Sequence, residues 1–305
     1  MNTRHAQLVL AVVREGSFTA AAKSLFVTQP TLSQQIRQIE QQLGQPIFER
    51  STTPVSLTPA GQIYVQSARR FLQIETQMNE SLAALSGRQT GLLRLGLPMQ
   101  RADELLPQVL AEFRSAYPDV RVQALSLPGE ELERMLLGSE LDMALISGEV
   151  ENEKLDYQLI ASDEVILVAG RKTALAQRVP SGSTVSLSAC EGEKFVLPAE
   201  NLPFARAYDE LLARAALSPF VALRTDDSQC AKRVCAACSL VMLCPFITLL
   251  SDAPAMQQLS HYRLSDTLFV PLYMAHPKDM PLTPYAQTLY TMMSNRFRAM
   301  TAYRL

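Results

Sequence analysis

A run of hydrogen-bonding side chains near the amino terminus is the part of this sequence best suited to chemistry. Between residues 28 and 41 the chain carries Gln29, Thr31, Gln34 and Arg37, which supply amide, hydroxyl and guanidinium groups. Gln pairs with two atoms of an adenine edge, Arg pairs likewise with guanine, and Thr bonds to bases or phosphate. The pattern predicts contact with a DNA duplex rather than a covalent reaction.

A helix must position these side chains. Apolar residues recur at spacings of four, three and four, which predicts one buried helical face: Leu32, Ile36, Ile39 and Leu43. Thr28 is predicted as the N-cap, and Pro30 falls in the first turn, where its missing N–H breaks no hydrogen bond. A Gln-rich surface helix without a ligand is the alternative interpretation.

The flanking segments complete a small domain. An Ala-rich helix is predicted from Thr19 to Leu25, with Phe26 and Val27 closing the turn before Thr28. Two short apolar runs at residues 46–48 and 55–57 predict a hairpin beside the helix pair. Thr58 and Pro59 then open another helix. The predicted unit is therefore two helices around a turn, followed by a wing.

These residues carry a resemblance to a known family. The chain is similar to the LysR-type transcriptional regulators over residues 1–61, and more loosely beyond residue 90. The residues concerned are Gly16-Ser17-Phe18-Thr19-Ala20-Ala21-Ala22, Gln29-Pro30-Thr31-Leu32-Ser33, Ile36, Glu40, Leu43-Gly44 and Leu57-Thr58-Pro59-Ala60-Gly61. The resemblance implies a winged helix-turn-helix, a long dimerisation helix, and a carboxy-terminal effector domain similar to type 2 periplasmic solute-binding proteins.

The predicted DNA contacts lie on the helix pair and the wing. They are Ser17, Phe18, Thr19, Thr28, Gln29, Pro30, Thr31, Ser33, Gln34, Arg37 and Arg50. Wings of the family often carry several basic residues, whereas here only Arg50 is positive. Residues 1–58 hold five basic and three acidic side chains, against a net charge of −2 for all 305 residues. Because affinity grows with the number of phosphates neutralised, we expect a dimer on a palindromic DNA site.

The dimerising element is predicted between residues 60 and 86. Apolar positions follow a four-three spacing, which predicts a helix-pairing seam interrupted at Glu75: Tyr64, Ala68, Phe71, Met78, Leu82 and Leu85. A helix packed on its own domain remains the alternative. Gly87 and Gly91 mark a boundary. The predicted domains are a winged helix-turn-helix at 1–58, a linker helix and hinge at 59–90, and an effector-binding domain at 91–305. The resemblance favours a homotetramer built from such dimers.

Residues 91–305 alternate strand and helix patterns, which predicts an α/β fold. The resemblance implies two subdomains, at about 91–162 plus 267–305 and about 163–266, with a cleft between them. Ligands of such sheets bind at the carboxyl ends of strands. The predicted effector-binding residues are Pro98, Met99, Gln100, Arg101, Pro128, Ser147, Gly148, Pro198, Ala199, Asp226 and Ser228. Arg101 is their only cation, so it either favours an anionic effector or is a solvated surface residue.

Five cysteines leave three interpretations open. Cys230, Cys235, Cys238 and Cys244 fall within fifteen residues, and Cys190 lies apart. They are core thiols, or a redox switch that uses Cys230, Cys235 and Cys238, or a metal site. No His lies near them in the sequence to complete a zinc set, so neither a metal nor a cofactor is predicted.

Several function classes lack their motifs. The sequence has no phosphate-binding Gly loop, nucleophile elbow or His-centred triad, so no enzyme is predicted. No apolar run reaches the roughly 20 residues that span a membrane, and the amino terminus does not read as a signal peptide, so a cytoplasmic location is expected. The predicted function is a transcriptional regulator whose DNA binding or bending, and hence access of RNA polymerase, is controlled by an unidentified small molecule. A solute-binding protein or enzyme would explain only residues 91–305.

Overall fold

The computed structural model describes residues 1–52, 54–85, 89–200, 202, 204–250 and 257–302. The chain divides into two compact units. The first comprises Met1–Gly91 with Leu137–Leu141, and the second comprises Leu92–Leu136 with Asp142–Leu305. No helix in these ranges combines the length and apolar character that a bilayer crossing requires.

The first unit is mainly helical. Its elements are α1 (Thr3–Glu15), α2 (Phe18–Ser24), α3 (Gln29–Leu43), β1 (Phe48–Glu49), β2 (Ser56–Leu57) and α4 (Pro59–Leu85). One core joins the buried faces of all four helices to Ile47 and Phe48. The two short strands pair antiparallel and form the predicted wing.

Helix α3 starts and stops where local chemistry requires. The Thr28 hydroxyl accepts the backbone N–H of Thr31, which confirms the predicted cap. Leu32, Ile36 and Ile39 are buried, as predicted. Leu43 was expected on the same face but is 44% exposed. The helix ends there because Gly44 adopts a left-handed conformation, with φ of 72°.

The start of α4 depends on one glycine. A Cβ at Gly61 would lie 2.0 Å from the carbonyl oxygen of Ile47, a distance that real atoms do not tolerate. The Thr58 hydroxyl accepts the Gly61 N–H at 2.9 Å and donates to the carbonyl oxygen of Pro46. Because Gly61 has no side chain and the Thr58 hydroxyl caps the helix, α4 begins in direct contact with the segment that leads into the wing.

Helix α4 has two different faces. Tyr64 and Ala68 are buried in the core of their own unit, so the predicted seam is wrong at these two positions, where the own-domain alternative holds. Glu75, which interrupts that seam, accepts a hydrogen bond from the Thr3 hydroxyl at 2.8 Å. The other face carries an exposed apolar row, the α4 stripe: Ile63, Phe71, Ile74, Met78, Leu82 and Leu85.

The second unit is an α/β structure, as predicted. Its strands are β3 (Gly91–Leu97), β4 (Val120–Ser126), β5 (Met143–Ser147), β6 (Leu155–Gly170), β7 (Thr184–Val185), β8 (Lys194–Pro198), β9 (Phe220–Thr225), β10 (Val241–Pro245), β11 (Leu259–Leu264) and β12 (Phe269–Pro277). Its helices are α5 (Met99–Ala116), α6 (Gly129–Leu137), α7 (Ala174–Arg178), α8 (Ala205–Arg214), α9 (Ser228–Cys238) and α10 (Pro284–Ala302), with 3₁₀ turns at Leu187–Cys190 and Phe246–Leu250.

The strand order is β4-β3-β5-β12-β6-β10-β8-β9, with β11 pairing β6 and β7. Strand β6 joins the two halves of this arrangement. Its residues Leu155–Glu164 pair with β12, and its residues Val165–Ala169 pair with β10. The sequence predicted a strand only over Val165–Ala169. That part is buried throughout, whereas the preceding part is mostly half-buried and carries no clear alternation.

Candidate nucleic-acid interface and effector pocket

The outward face of α3 gathers most of the predicted DNA contacts. Gln29, Thr31, Gln34 and Arg37 are exposed, while the apolar side of the helix is buried in the core beneath them. From Gln29 to Arg37 this face runs roughly 12 Å along the helix axis, at 1.5 Å per residue. Thr19, Thr28 and Pro30 are exposed as well. The helix is therefore anchored on one side and presents hydrogen-bonding groups on the other.

Three other predicted contacts serve the fold itself. The Ser17 hydroxyl caps α2 by accepting the N–H of Ala20 at 3.5 Å. The Phe18 ring packs edge-on against Phe48, with 5.5 Å between ring centroids. Ser33 is only 9% exposed and lies on the buried side of α3. Ser17 and Phe18 are half-buried and Ser33 is buried, so all three side chains help to hold the helix pair together.

Arg50 connects the wing to α3. Its guanidinium donates to the Ser33 hydroxyl at 3.1 Å and to the Glu40 carboxylate at 2.9 Å. It also lies over the Phe18 ring, 5.0 Å from the centroid. The other oxygen of Glu40 accepts the N–H of Ile47 at 2.9 Å. Arg50 and Glu40 together fix where the wing begins relative to α3.

Phe26 was interpreted from sequence only as part of the turn before α3. In the structure its side chain is 96% exposed and its φ is +57°. Neighbouring Leu25 and Val27 instead pack partly against the core. Apolar residue type suggested that Phe26 and Val27 would both close the turn, and only the backbone conformation at Phe26 separates the two.

A pocket opens at the carboxyl ends of β8, β9 and β10. Its empty space, open to solvent, is about 350 Å³. The described lining consists of Val196, Leu197, Pro198, Leu202, Phe204, Tyr208, Thr225, Ser228, Ala231, Met242, Leu243, Cys244 and Pro245. Of the predicted effector residues, Pro198 and Ser228 are therefore brought together. Ala199 lies beside them, since its N–H donates to the carbonyl oxygen of Thr225 at 3.0 Å, whereas Asp226 is exposed.

The lining is apolar with a few hydroxyl groups. Ser228, Thr225 and Tyr208 supply the hydroxyls, and none of the lining residues that the structure describes is charged. The remaining surface is aliphatic, aromatic or sulfur-bearing. Such a pocket excludes water from an apolar group and offers hydrogen bonds at a few positions.

The other predicted effector residues lie in the half of the unit that contains β3 and β5. Pro98 follows β3, and Ser147 ends β5; because these strands are parallel neighbours, both residues lie at the same sheet edge. The segment that holds Pro128 joins this edge, since Leu127 N–H donates to the Leu97 carbonyl at 3.1 Å. Gly148 N–H donates to the carbonyl oxygen of Pro271. Met99, Gln100 and Arg101 begin α5, and their side chains lie outside the described residues.

Two buried polar side chains hold the 3₁₀ turn Phe246–Leu250 that follows β10. The ammonium group of Lys232 is fully buried and donates to the carbonyl oxygen of Thr248 at 2.6 Å. Asp163, also fully buried on β6, accepts the N–H of Ile247 at 3.4 Å. The turn is thus fixed to the strand that runs through both halves of the unit and to the helix that lines the pocket.

All five thiols are free, and three of them are buried: Cys190, Cys235 and Cys244. Burial raises the pKa of Cys235 and of Cys190 to about 12, which keeps both protonated and unreactive. Cys230 and Cys238 are exposed but lie eight residues apart on α9, roughly 12 Å along the axis, beyond the reach of a disulfide. Within the described ranges, no cluster of three or more metal-ligating side chains is found.

Comparison with known proteins identifies both parts of the chain. The family model described as "Bacterial regulatory helix-turn-helix protein, lysR family" matches residues 3–62, and that described as "LysR substrate binding domain" matches residues 86–298. The uncharacterized HTH-type transcriptional regulator YcgK of Bacillus subtilis is 28% identical over 253 residues, 77% of each chain. A probable RuBisCO transcriptional regulator of Gracilaria tenuistipitata is 34% identical over 165 residues, 53% of each chain.

Solved structures share the fold over nearly the whole chain. Full-length CbnR, crystallised with its target DNA, superposes with a TM-score of 0.66 at 23% identity, covering 97% of this chain and 99% of that one. A full-length OxyR variant from Pseudomonas aeruginosa gives a TM-score of 0.76 at 19% identity, covering 96% and 98%. The chain belongs to the LysR family of DNA-binding transcriptional regulators, with an amino-terminal helix-turn-helix and a carboxy-terminal effector-binding domain.

Proposed function

We propose that this regulator reads its DNA site with the exposed face of α3. The observation that carries the proposal is a capped helix with a buried apolar side and four exposed hydrogen-bonding residues, Gln29, Thr31, Gln34 and Arg37. An α-helix fits the major groove, where these groups can distinguish base pairs. Arg50 acts by holding the wing against α3, because its guanidinium already binds Ser33 and Glu40.

The α4 stripe is the proposed dimer contact. It leaves six large apolar side chains exposed on one side of a 27-residue helix, of which Leu85 is 86% exposed and Ile63 is 69% exposed. Burying such a row against its own copy removes apolar surface from water. Two copies of α3 would then face successive major grooves of a palindromic site, with half-sites about 34–36 Å apart or a multiple of that distance. Assembly into a tetramer and a cytoplasmic location belong to the same proposal.

The pocket at the ends of β8, β9 and β10 is the proposed effector site. Because its lining is apolar apart from Ser228, Thr225 and Tyr208, the effector is a compact molecule with an apolar group and a hydrogen-bonding group. In this proposal the loops after β3 and β5 contact the other end of the effector. Effector binding controls transcription because the effector has different affinity for two arrangements of the assembly on DNA.

Footprinting on the DNA upstream of the protein's own gene tests this function. The expected result is a pair of protected half-sites whose extent changes when a small molecule is added. Candidate molecules come from a thermal-shift screen of the full-length chain, with apolar carboxylates and alcohols tested beside fully polar ones of similar size. Absence of any preferred duplex over random competitor DNA at moderate salt would contradict the proposal.

The dimer contact has its own test. Met78→Asp places a charge in the middle of the α4 stripe, so it should convert a dimer into monomers and weaken binding to a two-half-site operator. Thr76→Asp is the matched control, because Thr76 is exposed about half a turn away on the opposite side of α4. Sedimentation analysis measures both variants. Equal association states for the two would remove the α4 stripe from the proposal.

A further inference from the structure

The turn between α2 and α3 carries an apolar side chain in an unfavourable backbone conformation. The N–H of Val27 donates to the carbonyl oxygen of Ala22 at 3.0 Å, and that of Phe26 donates to Lys23 at 3.2 Å. This hydrogen-bond pattern ends a helix with one left-handed residue, a position usually occupied by glycine. Phe26 occupies it here, with φ of +57°, where a Cβ atom is strained.

The Phe26 ring is not stabilised by packing against the rest of the first unit. It is 96% exposed, whereas Leu25 and Val27 on either side pack partly against the core. An aromatic ring in water is unfavourable, and here the backbone strain adds to that cost. Neither the stability of the free unit nor the geometry of the turn accounts for phenylalanine at this position, since glycine meets both needs better.

The position of Phe26 continues the proposed DNA-reading face. It precedes the N-cap Thr28 by two residues, so its backbone lies within roughly 7 Å of the start of α3. Residues at the amino terminus of a recognition helix are those that reach base edges. Gln29 and Thr28 are exposed there, and Lys23 is exposed in the last turn of α2. The exposed ring therefore belongs to a residue next to the surface proposed to contact a duplex.

We propose that Phe26 is a further DNA-contacting residue, whose ring packs on apolar surface of the duplex beside the base edges that Gln29 reads. The apolar groups available there are the thymine 5-methyl group and the C–H faces of deoxyribose. This inference rests on the proposed function of α3. On DNA the ring would lose its contact with water, so its cost in the free protein is recovered only in the complex.

Two substitutions separate binding from folding. Phe26→Gly and Phe26→Asn both suit a left-handed residue, so each should keep or raise the melting temperature. Each should also weaken binding to the footprinted operator, by roughly tenfold for the loss of a buried apolar contact. Gain of stability together with loss of affinity is the expected signature. Fluorescence anisotropy on labelled operator and thermal unfolding of the full-length chain measure the two quantities.

Ala216→Gly is the matched control. Ala216 ends α8 in the second unit with the same hydrogen-bond pattern, φ of +51° and an exposed side chain. Its replacement should raise the melting temperature and leave operator affinity unchanged. A loss of affinity in this control as well would mean that the Phe26 result reports backbone relaxation rather than a DNA contact, and would overturn the inference.

Replacing thymines by deoxyuridine, one position at a time, distinguishes the two apolar partners. If the ring contacts a methyl group, one replacement weakens the wild type but not Phe26→Gly. If the ring contacts deoxyribose, no single thymine replacement affects the wild type and Phe26→Gly differently, and Phe26→Gly binds all these operators more weakly by the same factor. The inference is overturned if both Phe26 variants bind with wild-type affinity to an operator that the wild type protects. It is also overturned if the variants change the transcript level without changing DNA affinity, a result that would point to a protein partner. Absence of any protected operator for the wild type would instead remove the proposed function.

Discussion

Helices α3 and α9 both begin with a side-chain N-cap, but α3 carries its proposed binding groups on its exposed side and α9 on its buried side. Thr28 caps α3, and the Asp227 carboxylate caps α9 by accepting the N–H groups of Gln229 and Cys230 at 2.8 and 3.1 Å. Helix α3 carries its proposed binding groups on the exposed face, above a buried apolar face. Helix α9 lines the proposed effector pocket with Ser228 and Ala231, on the side that it packs into the second unit.

This difference predicts how binding and stability are related in the two regions. An exposed side chain on α3 can change without disturbing the core, because it lies outside the buried face of the helix. A side chain on the inner face of α9 belongs to both the core and the pocket, so its replacement affects folding and ligand response together. Function should therefore be separable from stability at the DNA surface and inseparable from it at the pocket.

Thiol labelling gives the largest expected contrast and tests the burial pattern of α9. Cys230 and Cys238 should react rapidly with a maleimide in the folded protein. Because burial raises the pKa of the Cys235 thiol and shields it from the reagent, Cys235 should react far more slowly than the two exposed thiols. Mass spectrometry of timed samples measures each site. The Cys230→Ser, Cys238→Ser double variant is the control and should show no rapid phase. A change of DNA affinity on oxidation of any rapidly reacting thiol, Cys230 included, would support the redox-switch alternative.

Gln29→Ala tests whether function and stability separate on α3. It should weaken binding to the operator by roughly 10–100-fold, since a lost two-bond base contact is worth about 1–3 kcal/mol. The free energy of unfolding should change by less than about 0.5 kcal/mol because the side chain is exposed. Gln42→Ala, an exposed glutamine at the far end of the same helix, is the control and should change neither. Arg37→Ala should likewise weaken site-specific binding. An intact footprint for Gln29→Ala would show that another face reads the bases.

Ala231→Leu tests the coupling on α9. Added methyl groups on this buried, pocket-lining residue should abolish the thermal shift caused by the effector and lower the free energy of unfolding by about 1–2 kcal/mol. Operator binding without effector should persist. Ala237→Leu, on the exposed side of the same helix, should leave effector binding intact. Ser228→Ala provides a milder variant that removes only a hydroxyl. A full effector response in both Ala231→Leu and Ser228→Ala would place the effector elsewhere.

A pH titration gives the smallest expected effect. Burial lowers the pKa of His261 on β11 from 6.5, and its Nδ1 lies 3.4 Å from the Ser181 hydroxyl. As pH falls below 6.5, the unfolded chain takes up a proton that the folded chain resists. Stability should therefore decrease from that pH downwards, and His261→Asn should flatten this dependence. Chemical unfolding at several pH values between 5 and 7 compares the two proteins. Parallel curves would exclude His261 as a source of the pH dependence.

The first unit could be predicted well because its signals are local. A cap at Thr28, a proline in the first turn and apolar residues at helical spacing each depend on a few neighbouring residues. The alternation of strands and helices likewise predicted the α/β class of the second unit. Helix α8 and strand β11 were not predicted, although their buried residues recur at helical and alternating spacings. Strand β6 extends well before Val165 because that part is held by pairing with β12 and carries no clear repeat of its own.

At the candidate sites, residue type alone did not predict which side chains are available for binding. Arg50 and Ser33 have the side chains of DNA contacts, yet in the structure they bond to each other and Arg50 also binds Glu40. Tyr64 and Ala68 match a dimer seam but lie in their own core. The pocket includes Leu202, Phe204 and Met242, which no sequence motif marks, because three strand ends and two helices converge there.

The sequence by itself determined the helix pair, its polar outer face, the family and the α/β class of the remainder. Each of these depends on periodicity and capping, which are properties of neighbouring residues. Only the tertiary structure decided which polar groups stay available, which side of α4 is left uncovered, and what lines the pocket. Those features depend on packing between segments far apart in the chain. The type of a side chain does not determine which distant residues it will pack against.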